Sequence, residues 1–158
     1  MRLHERFVDG RAVAPFARVT IDDTLKLFPR RTEGLRVLFV TAPIREWAFP
    51  NIIDLGKSYI ASVAWMDGHD VRVLDLNAER AGPVEGGEQF RRWMDRRMEW
   101  ALDYHAPDVV AIGGIITQYG TIRRGARLVR MARPQATIVL GGGIASCLPR
   151  FMAERLPV

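Results

Sequence analysis

The sequence contains little cysteine, little histidine and no long apolar run, and each shortage excludes a kind of protein. Cys147 is the only cysteine in 158 residues, so an intrachain disulfide is impossible and we expect a cytoplasmic location. No window approaches the roughly 18–20 apolar residues that a membrane span needs. No apolar stretch follows the first charged residues, as it would in a secretory signal. We therefore expect neither a membrane anchor nor a signal peptide.

The residue types that build metal centres and hydrolytic sites are also sparse. The three histidines and the cysteine are dispersed along the chain, which is not typical of a zinc or iron site. No serine, histidine and acidic residue are arranged as in a catalytic triad. We therefore predict no metal ligands and no catalytic residues in this chain.

What is present is an ordinary globular composition with an excess of arginine. Hydrophobic residues make up 48% and charged residues 26%, and 158 residues suffice for one core. The net charge of +5 invites a nucleic-acid interpretation, but acidic residues accompany most arginines, so we expect a solvated surface and no nucleic-acid partner. One stripe of arginines at helical spacing has fewer acidic neighbours. We interpret it first as solvated surface and second as a docking face for another domain. Its members are Arg123, Arg124, Arg127, Arg130 and Arg133.

The chain divides into two regions. Residues 1–34 are interpreted as an N-terminal extension and linker, with a hairpin turn predicted at Asp9-Gly10. Residues 35–158 alternate between strand and helix patterns and are interpreted as one α/β domain. Strands are predicted at 35–40, 71–74, 108–113 and 137–140, and helices at 54–66, 88–104, 121–133 and 149–155. Gly68 and Pro107 are expected to end the first two helices.

Apolar residues recur at helical spacing in the first three helices. The first helix carries one stripe, and the next two are assigned buried sides. The stripe comprises Leu55, Tyr59, Val63 and Met66; the buried sides comprise Phe90, Trp93, Met94, Ala101 and Tyr104, and then Ile122, Ala126 and Val129.

Strands separated by helices require right-handed crossovers and a parallel sheet. The predicted fold class is therefore α/β, with a flavodoxin-like (Rossmann-like) parallel sheet and helices on both faces. The final strand of that fold is not found, so we expect either a fragment of a longer enzyme or a subunit that needs a partner. Such sheets bind ligands beyond the carboxyl ends of their strands, which directs attention to loops 41–53, 114–121 and 141–148.

Two of these loops have a composition suited to a ligand. Gly141, Gly142 and Gly143 leave bare main chain on which the flat or phosphorylated part of a ligand could lie, although a turn with positive φ would explain one glycine. Residues 113–121 offer hydroxyls and an amide that could hydrogen-bond a polar ligand. Thr121 is alternatively a cap that opens the next helix.

Two motif fragments are rejected. Gly56-Lys57-Ser58 has the last letters of a phosphate-binding P-loop, but Asn51 stands where the first glycine is required, and the triplet lies inside a predicted helix. Asp67-Gly68-His69 is similar to the start of the Asp-x-His-x-x-Gly signature of cobalamin mutases. Arg72 replaces its glycine, and the triplet precedes the second strand, so His69 is interpreted as a turn residue.

Taken in order, several segments resemble the N-terminal cobalamin-binding domain of radical S-adenosylmethionine enzymes. The likeness covers about residues 35–155. The segments are 37–43 (opening strand and proline-bearing loop), 55–63 and 68–75 (first helix and second strand), 107–112 (third strand) and 139–146 (fourth strand and glycine turn).

The resemblance implies a base-off cobalamin whose nucleotide tail enters beside the sheet. Gly141, Gly142 and Gly143 would line the tail. Thr117, Gln118, Tyr119 and Thr121 would meet the corrin rim, and Ala42, Pro43 and Trp47 would lie below the ring. Ile115 and Ser146 complete the predicted cofactor contacts. No histidine occupies these loops, so we predict no histidine ligand to cobalt, as in family members that transfer a methyl group from methylcobalamin.

The family carries a Cys-x-x-x-Cys-x-x-Cys motif in a following barrel, where it holds an iron–sulfur cluster. This chain has one cysteine, so it is not expected to be catalytic alone. The resemblance implies a barrel domain in cis or as a separate subunit, together with the cluster and S-adenosylmethionine. Two alternatives stay open: a non-enzymatic interaction domain that docks through its arginine helix, and a nucleotide- or flavin-binding α/β domain.

Overall fold

The computed structural model describes residues 7–8, 11–12, 33–44, 54–78 and 87–158. Near the N-terminus, β1 (Phe7–Val8) pairs antiparallel with β2 (Arg11–Ala12), as the hairpin prediction requires. Asp9-Gly10, the predicted turn itself, lies outside the described residues.

A parallel sheet of four strands forms the centre of the domain. The strands are β3 (Arg36–Thr41), β4 (Asp70–Asp75), β5 (Val109–Gly113) and β6 (Thr137–Gly141), in the order β4-β3-β5-β6. All three pairings are parallel. The chain adds β4 on one side of β3 and then crosses to add β5 and β6 on the other side. This is the flavodoxin-like order, and its switch point lies between β3 and β5.

Helices cover both faces of this sheet, as predicted. They are α1 (Leu55–Met66), α2 (Glu88–His105), α3 (Tyr119–Ala132), α4 (Gly142–Cys147) and α5 (Pro149–Arg155), with a 3-10 turn at Ile116–Gln118. The larger core lies under α2–α5 and includes Leu38, Val110, Met98 and Met152. A smaller core lies under α1, where Ala61 packs near Val37 and Phe39.

Local sequence signals explain the helix ends. The Asp54 carboxylate accepts a hydrogen bond from the Lys57 N–H at 3.1 Å and caps α1. Gly68 has a φ of +100° directly after α1, and α2 ends at His105 with Ala106 in the left-handed region before Pro107. Both predicted helix ends are confirmed.

Three predictions are wrong in part, two about packing and one about a loop. Tyr104, assigned to the buried side of α2, is 66% exposed and stacks on Trp100. Leu55, Tyr59 and Val63 of the α1 stripe are also exposed, because α1 approaches the sheet through the small residues Ala61 and Ala64 instead. The third error concerns residues 142–147, which form α4 although they were assigned to a loop. The buried side predicted for α3 (Ile122, Ala126 and Val129) is confirmed.

Most of the arginine stripe is used inside the fold. Arg124 forms an ion pair with Asp95 on α2. Arg133 donates to the Leu102 carbonyl at 3.0 Å, and Arg130 donates to the carbonyls of Pro134, Ala136 and Pro157. These three arginines join α3 to α2 and to the chain that follows α3. The expected solvated surface holds for Arg123 and Arg127, whereas the other three arginines also have partners within the fold.

Candidate cofactor-binding site

A groove opens on the α1 face of the sheet, next to the switch point. Its floor is a row of facing residues on three adjacent strands, Phe39, Ala111 and Val139, which the strand register aligns. One wall is the start of α1, and the rim is formed by the main chain that follows β5 and β6. The cavity measures about 370 Å³, and its lining comprises Phe39, Asp54, Gly56, Lys57, Ile60, Ala111, Ile112, Gly113, Gly114, Ile115, Val139, Gly141, Gly142 and Gly143.

The groove lies beside α1, which packs mainly on β3 and β4 and, within the described residues, leaves β6 open on this face. Val139, in the middle of β6, is consequently 47% exposed. The small Ala111 and the glycines of the rim limit the number of side chains that enter this space. The arrangement suits a flat, largely apolar group inserted against the sheet, with polar contacts at its ends.

The three glycines after β6 have separate structural roles. Gly142 has a φ of +79°, and a Cβ there would lie 2.7 Å from both the N and O atoms of Gly114. A Cβ at Gly141 would meet nothing within 4 Å, and it would point to the same face as Val139, into the groove. Thus Gly142 is required by the turn, whereas Gly141 keeps the groove open. The turn interpretation is confirmed at Gly142, and the ligand interpretation of the triplet stays a prediction.

Gln118 joins the loops that leave β3 and β5 at the switch point. It is 6% exposed, and its Nε2 donates to the Ala42 carbonyl at 2.6 Å while its Oε1 accepts from the Ile115 N–H at 2.7 Å. Asn77, after β4, accepts from the Ile44 N–H at 3.0 Å. The carboxyl edge is therefore a connected set of loops. Gln118 is thus buried and held by two hydrogen bonds within these loops.

Replacing Gln118 with alanine is expected to lower the free energy of unfolding by about 1–3 kcal/mol, because it removes hydrogen-bond partners from the buried Ala42 carbonyl and from the Ile115 N–H. Urea unfolding monitored by circular dichroism measures the loss. Thr117→Ala, at the exposed neighbouring position, is the matched control and should unfold like the wild type. Equal stability of the two variants would show that Gln118 does not hold the loops together.

The remaining predicted contacts separate into groups. Ile115 joins Gly141, Gly142 and Gly143 around the groove. By contrast, Thr117, Tyr119 and Thr121 line a second cavity of about 840 Å³ between α2 and α3, and Tyr119 also packs on Phe151. Ala42 and Pro43 are buried where the chain leaves β3, and Ser146 is exposed on α4. Trp47 lies outside the described residues. α3 begins at Tyr119, so Thr121 lies in its first turn and is not its cap.

Sequence reasoning missed several residues of the groove. Ala111 and Val139 were assigned only to strands, although their shared face follows once β5 and β6 are paired in register. Asp54 and Lys57 were treated as helix residues. In the structure they form an ion pair on the groove wall. Burial acts to raise the pKa of the Asp54 carboxyl, but the hydrogen bonds and charge of Lys57 more than offset this, so its pKa is lowered.

His69 lies at the opposite edge of the sheet, where the strands begin. Its Nδ1 accepts a hydrogen bond from the Leu35 N–H at 3.0 Å, and its Nε2 lies 3.4 Å from the Asp67 carboxylate. Its interpretation as a turn residue is consistent with these contacts. Among the described residues, no three His, Cys, Asp or Glu side chains cluster as metal ligands would. Nor is any helix in those parts of the chain long and apolar enough to cross a membrane.

Comparison with known proteins agrees with this geometry. A family model described as the B12 binding domain matches residues 48–157, which include α1, β5, β6 and the glycine rim of the groove. The chain is also similar to the cytidylyl-2-hydroxyethylphosphonate methyltransferase of Streptomyces wedmorensis, with 33% identity over 102 residues. The alignment covers 61% of this chain but only 19% of that protein, so the chain spans a minor part of the relative's length. Since the family model covers most of the sequence, the chain belongs to the B12-binding domain family.

Proposed function

We propose that this chain binds cobalamin in the base-off state, with the flat base of the nucleotide tail in the groove and the corrin above the carboxyl ends of the strands. The observation that carries the proposal is the apolar groove at the switch point, whose rim is bare main chain at Gly141 and Gly142. The lining suits this group, because a planar aromatic base matches an apolar floor that includes Ala111 and the exposed Val139. Membership of the B12-binding family supports the same ligand.

In this proposal the predicted contacts fall into three groups. Ile115, Gly141, Gly142 and Gly143 line the tail. Ala42, Pro43 and Trp47 lie below the corrin, and Thr117, Gln118, Tyr119, Thr121 and Ser146 are assigned to its rim. The exposed Thr117 can reach a ligand most directly, whereas Gln118 acts by holding the loop in place. No histidine is among these residues, so the lower face of cobalt has no histidine ligand.

We further propose that the domain comprises residues 35–158, preceded by an extension at 1–34, and that it serves a cytoplasmic radical S-adenosylmethionine enzyme that is a methyltransferase. The iron–sulfur cluster and S-adenosylmethionine would be held by a barrel in cis or in a separate subunit. The resemblance of residues 35–155 and the similarity to a methyltransferase, of which the matching region is 19%, support this assignment. The single cysteine supports placing the cluster outside this chain. This chain would supply the cobalamin and not the radical chemistry.

Mixing the chain with hydroxocobalamin and removing free ligand by gel filtration is expected to leave one corrinoid per chain, measured by its absorption. After reduction to cob(II)alamin, the electron paramagnetic resonance spectrum should lack the nitrogen splitting that a coordinated benzimidazole or histidine produces. A retained corrinoid with that splitting would contradict base-off, histidine-free binding.

The same experiment separates the alternative functions. Retention of flavin mononucleotide or a nucleotide in place of the corrinoid would favour the nucleotide- or flavin-binding domain. If no chromophore is retained, the cobalamin proposal fails and an interaction domain of the same fold becomes the better explanation.

A further inference from the structure

Among the described residues that line the groove, Lys57 is the one cation. It lies in the first turn of α1, and its side chain is 15% exposed, so most of it is removed from solvent. The floor beside it is apolar. Burying an ammonium group at the edge of such a groove costs free energy unless a counter-charge accompanies it.

Asp54 supplies that counter-charge and holds the lysine in place. One carboxylate oxygen accepts from the Lys57 N–H at 3.1 Å, which caps α1, and the other accepts from the Lys57 ammonium. The capping bond fixes the carboxylate, and the carboxylate in turn fixes the ammonium. A lysine ammonium has three N–H donors, and the described residues provide an acceptor for one of them. The other donors can serve an anion at the end of the groove.

The position of Lys57 in the first turn of α1 also favours the binding of an anion. The helix extends over 12 residues, and the partial positive charge at its N-terminus acts in the same direction as the ammonium. The groove therefore combines an apolar floor for a flat base with a fixed Lys57–Asp54 ion pair at one wall, whose ammonium keeps N–H donors beside the N-terminus of α1. A nucleotide has the matching arrangement, since its base is planar and its phosphate is anionic.

We propose that Lys57 binds the phosphodiester of the cobalamin nucleotide tail, and that this contact makes the site select complete cobalamin over corrinoids without the tail. The inference rests on the proposed function, because it assigns the phosphate of that same ligand. The phosphate monoester of flavin mononucleotide has similar chemistry, and the experiment distinguishes the two. The role of Lys57 is in binding and specificity.

The test compares cobalamin with cobinamide, a corrinoid that lacks the nucleotide and its phosphodiester. Loss of a charge-assisted hydrogen bond in Lys57→Met is expected to weaken hydroxocobalamin binding roughly 10- to 100-fold. Binding of diaquacobinamide should be unchanged. Lys57→Arg, which keeps the charge, should retain most of the affinity. Arg127→Met, at an exposed position of α3, is the matched control for removal of one positive charge. Isothermal titration gives each affinity, and rising salt should weaken cobalamin binding more in the wild type than in Lys57→Met.

The variants must be folded for the comparison to count. Lys57→Met leaves Asp54 without its partner, so thermal unfolding is measured in parallel, and the double variant Asp54→Asn, Lys57→Met removes both charges if the single variant is unstable. The cap is retained in part by asparagine. The double variant should show the same selective loss of cobalamin affinity.

Each result has one meaning. If the wild type does not bind hydroxocobalamin, the proposed function itself fails. If the wild type binds it and folded Lys57→Met binds it equally well, or if cobinamide weakens to the same extent, the phosphodiester contact is wrong while the proposed function stands. Binding of flavin mononucleotide but not cobalamin, with loss in Lys57→Met, would overturn both and assign the anion contact to a flavin.

Discussion

Replacing Gly142 with alanine is expected to lower the free energy of unfolding by about 2–4 kcal/mol. A φ of +79° is unfavourable for alanine, which costs about 1–2 kcal/mol. The new Cβ would also lie 2.7 Å from main-chain atoms of Gly114, so the chain after β5 must move. That movement would disturb the bond from the Ile144 N–H to the Gly114 carbonyl. Urea or thermal unfolding monitored by circular dichroism measures the loss.

Gly143→Ala is the matched control for this prediction. Gly143 lies one residue further along in α4, its φ is not positive, and a Cβ there would touch only Ile115 at 4.0 Å. Alanine favours helix over glycine, so this variant should be as stable as the wild type or slightly more stable. A Gly142→Ala protein that unfolds within 0.5 kcal/mol of Gly143→Ala, a difference of the size seen for neutral surface changes, would refute the structural role of Gly142.

The second large effect is expected on binding. Gly141→Val should reduce cobalamin affinity by at least about 100-fold while leaving stability near that of the wild type, because a valine side chain would occupy the space proposed for the base. Gly141 has an extended φ of −139°, which valine adopts readily, and a Cβ there meets nothing within 4 Å. Equilibrium titration with hydroxocobalamin gives the affinity, and thermal unfolding confirms the fold.

Gly141→Ala provides a graded comparison, since its single methyl group fills less of the groove. Its affinity should fall between those of the wild type and Gly141→Val. Cobinamide, which has no base to insert, should bind all three proteins alike. A folded Gly141→Val protein that binds cobalamin as tightly as the wild type would show that the tail lies elsewhere.

Taken together, these glycine variants separate stability from binding at adjacent positions. Gly142 is needed for stability, because its main chain lies close to that of Gly114. Gly141 is proposed to be needed for binding, because a side chain there would fill empty space in the groove.

Much of the fold followed from local patterns. The apolar runs at 35–40, 71–74, 108–113 and 137–140 correspond to β3–β6 within one or two residues, because a strand covered by helices needs apolar residues on both faces. Gly68 and Pro107 predicted helix ends, since positive φ and a missing N–H are properties of single residues. The family resemblance drew on the same segments, and the B12-binding family model matches most of them.

Packing directions were less predictable. Tyr104 and the stripe of Leu55, Tyr59 and Val63 have the spacing of a buried face but are exposed in the structure. The side of a helix that meets the sheet depends on how closely the helix can approach, and Ala61 with Ala64 allows a close approach that bulky residues would prevent. The prediction of a solvated arginine stripe was incomplete for a related reason. Arg124, Arg130 and Arg133 have partners distant in sequence or on the following chain, and helical spacing cannot reveal them.

The sequence alone determined the parallel α/β fold, the glycine triplet after its fourth strand, and the carboxyl edge of the sheet as the predicted ligand site, because each depends on periodicity or on the conformational freedom of single residues. Only the tertiary structure decided that α1 leaves β6 open, that Ala111 and Val139 form the groove floor with Phe39, and that the Lys57–Asp54 pair lies on its wall. These features depend on the register between strands and on the contact between helix and sheet, which join residues far apart in the chain.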